Sequence, residues 1–290
     1  MKLITWNVQW CRGCDGRVDP QRIVSHARAL ADFDVLCLQE VADNFPDLEG
    51  GGGEDQFQEL ARLLPGYAAV PGAAVDVPDG SGGRRRFGNL LLSRLPVLRV
   101  LRHQLPWPPS SSRPGMPRLL LEAVIESPVG YLRVMTTHLE YYSAAHRAAQ
   151  VAAIRRVHAQ SCAHARRDPE QGAKPGAKPK SSGGPFQTLP QPAAAILTGD
   201  FNYQPDDVLH QRIQTPLDAQ TPALLDSWGI ANPGIAHQHT NGVHDREQWP
   251  SPYTCDFIYV SEDLRERVRR VTVDAQTQAS DHQPVLIELD

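Results

Sequence analysis

The chain has 290 residues, of which 41% are hydrophobic and 21% are charged. This composition excludes a wholly disordered chain and provides enough apolar material for one large domain or two small ones. The 29 Lys and Arg residues against 33 Asp and Glu give a formal net charge of −4, so no overall positive field exists to hold a nucleic acid by counterion release.

The amino-terminal sequence MKLITWNVQW lacks the charged and apolar regions of a secretory signal. No apolar stretch approaches the ~20 residues that span a bilayer. Five cysteines do not suggest a disulfide framework, and the C-x-x-C of Cys11 and Cys14 has no second matching pair to complete a zinc site. These features predict a cytoplasmic protein without a transmembrane segment, and a monomer is the simplest expectation.

Short apolar runs of strand length recur along the chain and predict at least one large sheet. They are residues 3–8, 35–38, 89–92, 119–125, 131–136, 194–197, 257–260 and 285–289. Some follow one another as pairs and others are separated by helical patterns, which favours mixed sheets covered by helices in a single α/β domain.

Three helices are predicted between these strands. The first has Asp19 as N-cap and Pro20 at the first helical position. A second pattern surrounds Leu60, and a third begins near Ser143. For the third, the apolar spacing predicts an inward face, made of Ala144, Ala148, Val151, Ile154 and Val157.

Residues 168–192 are dominated by Pro, Gly, Lys and Ser and contain hardly any large apolar side chain. Such a segment cannot offset its own ordering entropy, so it is predicted to be a disordered insertion. Because it joins the third helix to the strand at 194–197, it interrupts one domain over residues 1–290 and does not separate two.

Polar side chains cluster where the apolar strands end. Ligands bind at such edges in open α/β sheets because the loops diverge there. The candidates are Asn7, Glu40, His138, Asp200, Asn202, Asp256, Asp281 and His282. Carboxylate and amide oxygens suit Mg²⁺ or Mn²⁺, whereas a zinc site would contain more His or Cys.

Six short motifs carry a resemblance to a known family. They are TWN at 5–7, LQE at 38–40, THL at 137–139, TGDFN at 198–202, CDFI at 255–258 and SDHxP at 280–284. In this order they resemble the endonuclease/exonuclease/phosphatase superfamily, which has the DNase I-like fold. The resemblance implies a four-layer α/β/β/α sandwich of two packed sheets flanked by helices, with a divalent metal in the site.

The resemblance also implies a role for each candidate residue. Glu40 would be the principal ligand of Mg²⁺ or Mn²⁺, assisted by Asn7 and Asp281. This charge neutralisation is needed because an anionic nucleophile attacks a phosphate ester that is itself an anion.

The remaining five residues would carry out the catalysis. Asp200 would orient and deprotonate the attacking water, and Asn202 would position water or phosphate. His282, paired with Asp256, would contact the phosphoryl oxygens, and His138 would contact the same phosphate. Taken singly, each residue also has a structural explanation, such as an Asx-turn or an ordinary His–Asp pair.

The leading prediction is a metal-dependent phosphodiesterase of nuclease type that cleaves P–O bonds by attack of activated water. A phosphatase or a sphingomyelinase-like lipid phosphodiesterase acting on a small substrate is the alternative, and a catalytically silent RNA- or protein-binding regulator is the third. Gln9 and His138 depart from the pattern of relatives that cut DNA at abasic sites, which disfavours that activity.

Several secondary signals do not decide between these functions. The run from Arg84 to Arg86 either contacts a polyanion or is a solvated charge run. Trp107, Trp228 and Trp249 are predicted to be buried, although stacking on a base is the alternative. His237 has no motif that assigns it to the site.

Overall fold

The structure is a computed structural model that describes residues 1–109, 115–167, 187 and 189–290. Twelve β-strands lie within these residues: β1 (Lys2–Asn7), β2 (Val35–Asp43), β3 (Ala68–Pro78), β4 (Arg84–Ser93), β5 (Val97–Gln104), β6 (Leu119–Ser127), β7 (Gly130–His138), β8 (Ala195–Asp200), β9 (Leu224–Asp226), β10 (Asp256–Ser261), β11 (Val268–Val273) and β12 (Val285–Leu289). The α-helices of the same ranges are α1 (Pro20–Leu30), α2 (Gln56–Leu63), α3 (Ala144–Arg167), α4 (Val208–Gln214) and α5 (Ser227–Ala231).

The strands form two six-stranded sheets. Sheet I has the order β11-β12-β1-β2-β4-β3, and sheet II has the order β5-β6-β7-β8-β10-β9. Both sheets are mixed, because β1 runs parallel to β2 and β7 runs parallel to β8 while their other neighbours are antiparallel. Side chains such as Leu3 and Leu91 from sheet I and Val134 and Ile258 from sheet II pack in one cluster between the sheets.

Helices cover the outer face of each sheet. Ile23 of α1 and Leu60 of α2 pack on the outward side chains of sheet I, and Ile154 of α3 and Leu209 of α4 do the same on sheet II. Central strands are therefore buried on both faces, which explains their continuous apolar sequences. The predicted α/β/β/α sandwich is confirmed.

The eight predicted strands are the eight interior strands of the two sheets. The four strands that were not predicted, β3, β11, β5 and β9, are the sheet edges. Strands β3 and β5 have many exposed or half-exposed positions and carry polar or small residues. Because an edge strand lacks a neighbour on one side, it does not need the continuous apolar run by which the interior strands were predicted.

The predicted start of α1 is confirmed, because the Asp19 side chain accepts a hydrogen bond from the backbone N–H of Arg22 and Pro20 begins the helix. The inward face of α3 was partly wrong, since Ala144 is exposed whereas His146, Gln150 and His158 are buried. Gln150 and His158 are tolerated there because they reach partners, as when Gln150 Oε1 accepts from the backbone N–H of Glu140 and His158 Nε2 lies 3.0 Å from the Pro222 carbonyl oxygen. Across the described residues, no helix combines the length and hydropathy that membrane spanning requires.

Residues 168–186 and 188, most of the predicted insertion, lie outside the described residues. At its carboxyl end Pro192 is buried, and its carbonyl accepts a hydrogen bond from Nε of Arg133 at 3.0 Å. This hydrogen bond therefore attaches the chain to β7 just before β8 begins.

Candidate active site

The strand register of sheet II places three predicted site residues side by side. His138 at the end of β7 pairs with Asp200 at the end of β8. On the other side of β8, Asp200 pairs with Asp256 at the start of β10. Because paired residues in neighbouring strands lie about 5 Å apart, these positions form one row at a single sheet edge.

Sheet I contributes a second row through β1 and β2. Asn7 pairs with Gln39, and Glu40 follows next in the chain. Glu40 has a left-handed φ of 60°, at the point where the register between β2 and β4 shifts. A bulge of this kind redirects a side chain, and such backbone outliers gather at functional sites.

The last two candidates arrive from the loop before β12, which is attached to β1. Ser280 Oγ donates to the Asn7 carbonyl at 2.9 Å, and Trp6 Nε1 donates to the His282 carbonyl at 2.9 Å. These buried bonds hold Asp281 and His282 beside residues that are over 270 positions away in sequence.

Glu40 and Asp200 are linked through one amide. Asn7 Nδ2 donates to Glu40 Oε1 at 3.0 Å and to Asp200 Oδ2 at 3.0 Å. Asn7 Oδ1 accepts from the backbone N–H of Gln9, so in this arrangement Asn7 connects the two carboxylates through its nitrogen. Its predicted role as a metal ligand through oxygen stays a prediction.

The Glu40 and Asp200 side chains both resist ionisation. Burial, followed by repulsion from Asp281, raises the pKa of Glu40 to about 7. Burial, followed by the charge of Asp256, raises the pKa of Asp200 to about 6. Crowded acidic groups with raised pKa values fit a bound divalent cation, which would favour their charged forms and whose preferred ligands are oxygens.

The pairing of His282 with Asp256 is present. His282 Nδ1 lies 2.9 Å from Asp256 Oδ2, and both side chains are buried. Burial by itself lowers the pKa of His282, but Asp256 and Asp281 outweigh it and raise this pKa well above its usual value. The His282 imidazole is therefore held as a cation.

Asn241 lies against the other nitrogen of this imidazole. Its carboxamide is 2.8 Å from His282 Nε2, and as oriented its Oδ1 is buried without a hydrogen-bond partner among the described residues. A protonated Nε2 needs an acceptor, so the cationic imidazole favours the amide orientation that turns Oδ1 toward it. The sequence analysis did not identify Asn241.

His138 has the opposite electrostatic character. Burial, with the charges of Arg118 and His282, lowers its pKa well below the usual value. Its Nε2 is 3.5 Å from Asp200 Oδ2 and its Nδ1 is 3.8 Å from Glu40 Oε1. The two histidines of the site therefore differ, with His138 neutral and His282 charged.

Asn202 belongs to the predicted Asx-turn, whereas its predicted role in positioning water or phosphate stays a prediction. Its backbone N–H donates to Asp200 Oδ1 at 2.9 Å, which is an Asx-turn, and its Nδ2 donates to the Leu139 carbonyl at 2.9 Å. Its side chain also lines the cleft that contains the other candidates. The turn therefore fixes both Asp200 and Asn202 at the site.

Arg118 is a site residue that the sequence analysis missed. Its side chain lines the same cleft although it is only 5% exposed, and its Nε lies 3.6 Å from Glu140 Oε2. Both Nε and Nη1 are buried without a hydrogen-bond partner among the described residues. The available signal was a lone arginine directly before the buried strand β6.

These groups surround one cleft of about 290 Å³. Glu40, His138, Asp200, Asn202, Asp281 and His282 line it, while Asp256 lies behind His282. Asn7 is buried beneath the carboxylates that it joins. The structure thus brings all eight predicted residues together, with an acidic side suited to a cation and a basic side suited to an anion.

The run from Arg84 to Arg86 is charge-compensated. Each arginine pairs with an aspartate. Arg84 lies 2.7 Å from Asp76, Arg85 lies 3.0 Å from Asp47, and Arg86 lies 3.4 Å from Asp43. None of the three arginines lines the cleft. This pairing leaves little net positive charge on the loop to attract a polyanion.

The three tryptophans and His237 differ in where the structure places them. Trp228 is buried as predicted, but Trp107 is 52% exposed and its predicted burial was wrong. Trp249 is partly exposed and its Nε1 donates to Asp281 Oδ2 at 2.9 Å, which places it at the site. His237 instead joins His210 in contacting Asp226, where its Nε2 lies 2.6 Å from Oδ2.

Comparisons with known proteins agree with this architecture. The sequence profile of the endonuclease/exonuclease/phosphatase family matches residues 4–282. No curated protein gives a significant match.

Solved structures with the same fold include an endonuclease/exonuclease/phosphatase from Beutenbergia cavernae (23% identity, TM-score 0.64), covering 100% of this chain and 71% of that one. They also include a mannosyl-6-phosphatase from Bacteroides thetaiotaomicron (17%, TM-score 0.63, coverage 100% and 99%). The human nocturnin catalytic domain with bound sulfate is a third (16%, TM-score 0.60, coverage 100% and 93%). With the family profile matching nearly the whole chain and the fold shared throughout, this protein belongs to the endonuclease/exonuclease/phosphatase family.

Proposed function

We propose that the chain is a divalent-metal-dependent phosphoester hydrolase in which Asp200 activates the attacking water. The observation that carries the proposal is the convergence of two opposite charge environments in one cleft. Glu40, Asp200 and Asp281 form the acidic side, and His282 with Arg118 forms the basic side. Hydrolysis of a phosphate ester requires both, because a nucleophile must be activated while the phosphate charge is neutralised.

Glu40 and Asp281 would hold the cation, with Asn7 keeping Glu40 in place through its amide nitrogen. When bound, Mg²⁺ or Mn²⁺ supplies Lewis-acid polarisation of the phosphate and neutralises its charge. Because the pKa of Glu40 is raised to about 7, binding of the cation releases a proton when it occurs near or below that pH.

Asp200 acts as the general base. Its Oδ1 is engaged by the Asn202 backbone and its Oδ2 by Asn7, so the carboxylate is fixed in orientation. A pKa of about 6 leaves Asp200 mostly ionised at neutral pH while making it a stronger proton acceptor than an ordinary aspartate. It accepts the proton of the water that attacks phosphorus.

His282 and Arg118 bind the phosphoryl oxygens. The His282 cation is maintained by Asp256 at 2.9 Å, and the Arg118 guanidinium carries buried N–H groups without a partner among the described residues. A phosphate offers the acceptors that the Arg118 groups lack, and it would replace the Asn241 carboxamide as the partner of His282 Nε2. His138 is neutral, so it can donate one hydrogen bond beside Glu40 and Asp200 without adding positive charge.

For the substrate class we favour a small phosphoester over a long polynucleotide. The pairing of Arg84, Arg85 and Arg86 with aspartates weakens the basic loop that the sequence offered for contacts to a polyanion backbone. The structure from Bacteroides thetaiotaomicron that shares the fold is described as a mannosyl-6-phosphatase, which is a phosphatase and not a nuclease. A nuclease-type phosphodiesterase is the alternative.

The test is hydrolysis by the purified protein of p-nitrophenyl phosphate, bis-p-nitrophenyl phosphate, hexose phosphates, DNA and RNA, with Mg²⁺, with Mn²⁺ and with EDTA. We expect turnover that EDTA abolishes and that Asp200→Asn nearly eliminates, while Glu266→Gln, an exposed control, retains it. Turnover that survives EDTA or Asp200→Asn would refute the mechanism. Preferential cleavage of DNA or RNA would favour the nuclease alternative.

A further inference from the structure

A second chamber opens beside the phosphate cleft. It has a volume of about 1100 Å³, against about 290 Å³ for the cleft itself, and the two share Tyr141, Tyr142, Asn202, Gln248, Trp249 and Tyr253 as lining residues. A group attached to a phosphate in the cleft would therefore extend into this chamber. We call it the outer chamber.

One side of the outer chamber is a wall of four aromatic rings. Tyr142 meets Tyr141 at 77°, Tyr141 meets Trp249 at 76°, and Trp249 meets Tyr253 at 75°. Tyr141 and Tyr142 are 42% and 57% exposed, which is unusual for side chains of this size beside a site. Because successive rings are nearly perpendicular, these neighbours form corners and not a parallel slot into which a flat base could insert.

The wall is held in place by the start of α3. Arg147 Nη1 donates to the carbonyls of Glu140 at 3.0 Å and Tyr141 at 2.6 Å. The Glu140 side chain accepts from the backbone N–H of Tyr142 at 2.9 Å. A surface fixed in this way loses little conformational freedom when a ligand packs on it.

The rest of the lining is polar and carries no excess positive charge. Gln204, Asp206, Asp207 and Gln248 provide carboxylate or carboxamide groups, and Arg147 is the cation among the described lining residues. One arginine against two aspartates gives the chamber a net charge of −1. A second phosphate of a polynucleotide would be repelled here, whereas hydroxyl groups would find both acceptors and donors.

From these observations we infer that the outer chamber is a subsite for an uncharged, hydroxyl-rich ring, so that the substrate is a phosphorylated sugar or cyclic polyol. The C–H faces of such a ring pack on the negatively polarised faces of Tyr141 and Trp249, and its hydroxyls bond to Asp206 and the glutamines. This inference rests on the proposed function for the phosphate position, and it adds the class of the attached group.

The test measures binding, so that it does not depend on turnover. In an Asp200→Asn background with Mg²⁺, calorimetry compares glucose 6-phosphate with methyl phosphate, which carries the phosphate without the ring, and with thymidine monophosphate and a thymidine dinucleotide. We expect glucose 6-phosphate to bind at least about tenfold more tightly than each of the other three.

Variants of the chamber should reduce this preference. Tyr141→Ala is expected to lower the ratio of glucose 6-phosphate to methyl phosphate affinity about tenfold, and Asp206→Asn about threefold. Trp107→Ala replaces another exposed aromatic residue that lines neither chamber, and Glu266→Gln removes an exposed charge elsewhere, so both should keep the ratio. Asp206 is exposed, so its variant tests the inference even if Tyr141→Ala perturbs the fold.

Equal affinity for glucose 6-phosphate and methyl phosphate would overturn the inference, as would tighter binding of either thymidine compound. So would chamber variants that weaken all four ligands alike. These results are distinguishable from failure of the proposed function, which would appear as absent hydrolysis of every phosphoester by the unmodified protein, whatever the binding preferences are.

Discussion

Replacing Glu40 by glutamine is expected to make the metal-free protein more stable while abolishing its activity. The substitution keeps the shape of the side chain, and the glutamine oxygen can still accept from Asn7 Nδ2, as Glu40 does at 3.0 Å. It removes a charge that is disfavoured by burial and by Asp281. A metal ligand is expected to lower the stability of the metal-free protein in this way, because its charge serves function and not folding.

The size of the effect follows from the pKa of Glu40, which is raised from 4.5 to about 7. Since the folded pKa lies above the unfolded one, ionisation of Glu40 costs stability as the pH rises above 4.5, and the cost levels off above about pH 7. At 1.36 kcal/mol per pH unit, the Glu40→Gln variant gains about 3 kcal/mol at pH 8 and less than about 1 kcal/mol at pH 5. For a chain of this length the gain at pH 8 raises Tm by about 3–6 °C.

The assay is thermal unfolding at pH 5 and pH 8 in EDTA, and again with Mg²⁺ or Mn²⁺. We expect the cation to raise the Tm of the unmodified protein, by an amount worth about 2.7 kcal/mol at a hundredfold excess over Kd, and to have little effect on Glu40→Gln. Glu266→Gln, at an exposed position, should change neither value. If Glu40→Gln is no more stable than the unmodified protein at pH 8 in EDTA, the account of the carboxylate cluster is wrong.

Three further predictions concern the rest of the site and its surroundings. Asp200→Asn should lower kcat by about 10²- to 10⁴-fold, measured on whichever phosphoester is turned over, because it removes the general base; a smaller loss would assign that role elsewhere. NMR titration in EDTA should find the pKa of His282 well above its usual value, and lower in Asp256→Asn, because the partner at 2.9 Å is lost; an unchanged pKa would contradict the pairing. Arg118→Met should lower kcat/KM about 10- to 100-fold by removing a phosphate donor, whereas Arg85→Gln should change it less than about twofold because Asp47 already compensates that charge.

The sequence predicted those site residues that lie at the ends of buried strands. The motifs around Asn7, Glu40, Asp200 and Asp256 each adjoin a buried strand, so the apolar pattern located both the strand and the polar residue at its end. Arg118 also adjoins a buried strand, but a single arginine before an apolar run has no spacing that distinguishes it from a solvated side chain.

The cationic form of His282 was expected from a neighbouring carboxylate such as Asp256, but the sequence did not predict the outer chamber or the neutral state of His138. Tyr141, Tyr142 and Trp249 lie in loops, and their contact joins positions more than 100 residues apart. Both histidines are buried, but burial and then the charge of Arg118 lower the pKa of His138, whereas Asp256 and Asp281 outweigh burial and raise the pKa of His282. The aromatic contact and the neutral state of His138 have no local signature in the sequence.

By itself the sequence determined the interior strands, the α/β class and the polar residues at the strand ends, because burial on two faces imposes continuous apolar runs that can be recognised locally. The tertiary structure alone decided the edge strands, the pairing of Arg84–Arg86 with aspartates, and the burial of Arg118 and Asn241 at the cleft. These features depend on contacts between distant segments, and the electrostatic energy of a group is set by the neighbours and the burial that the completed fold provides.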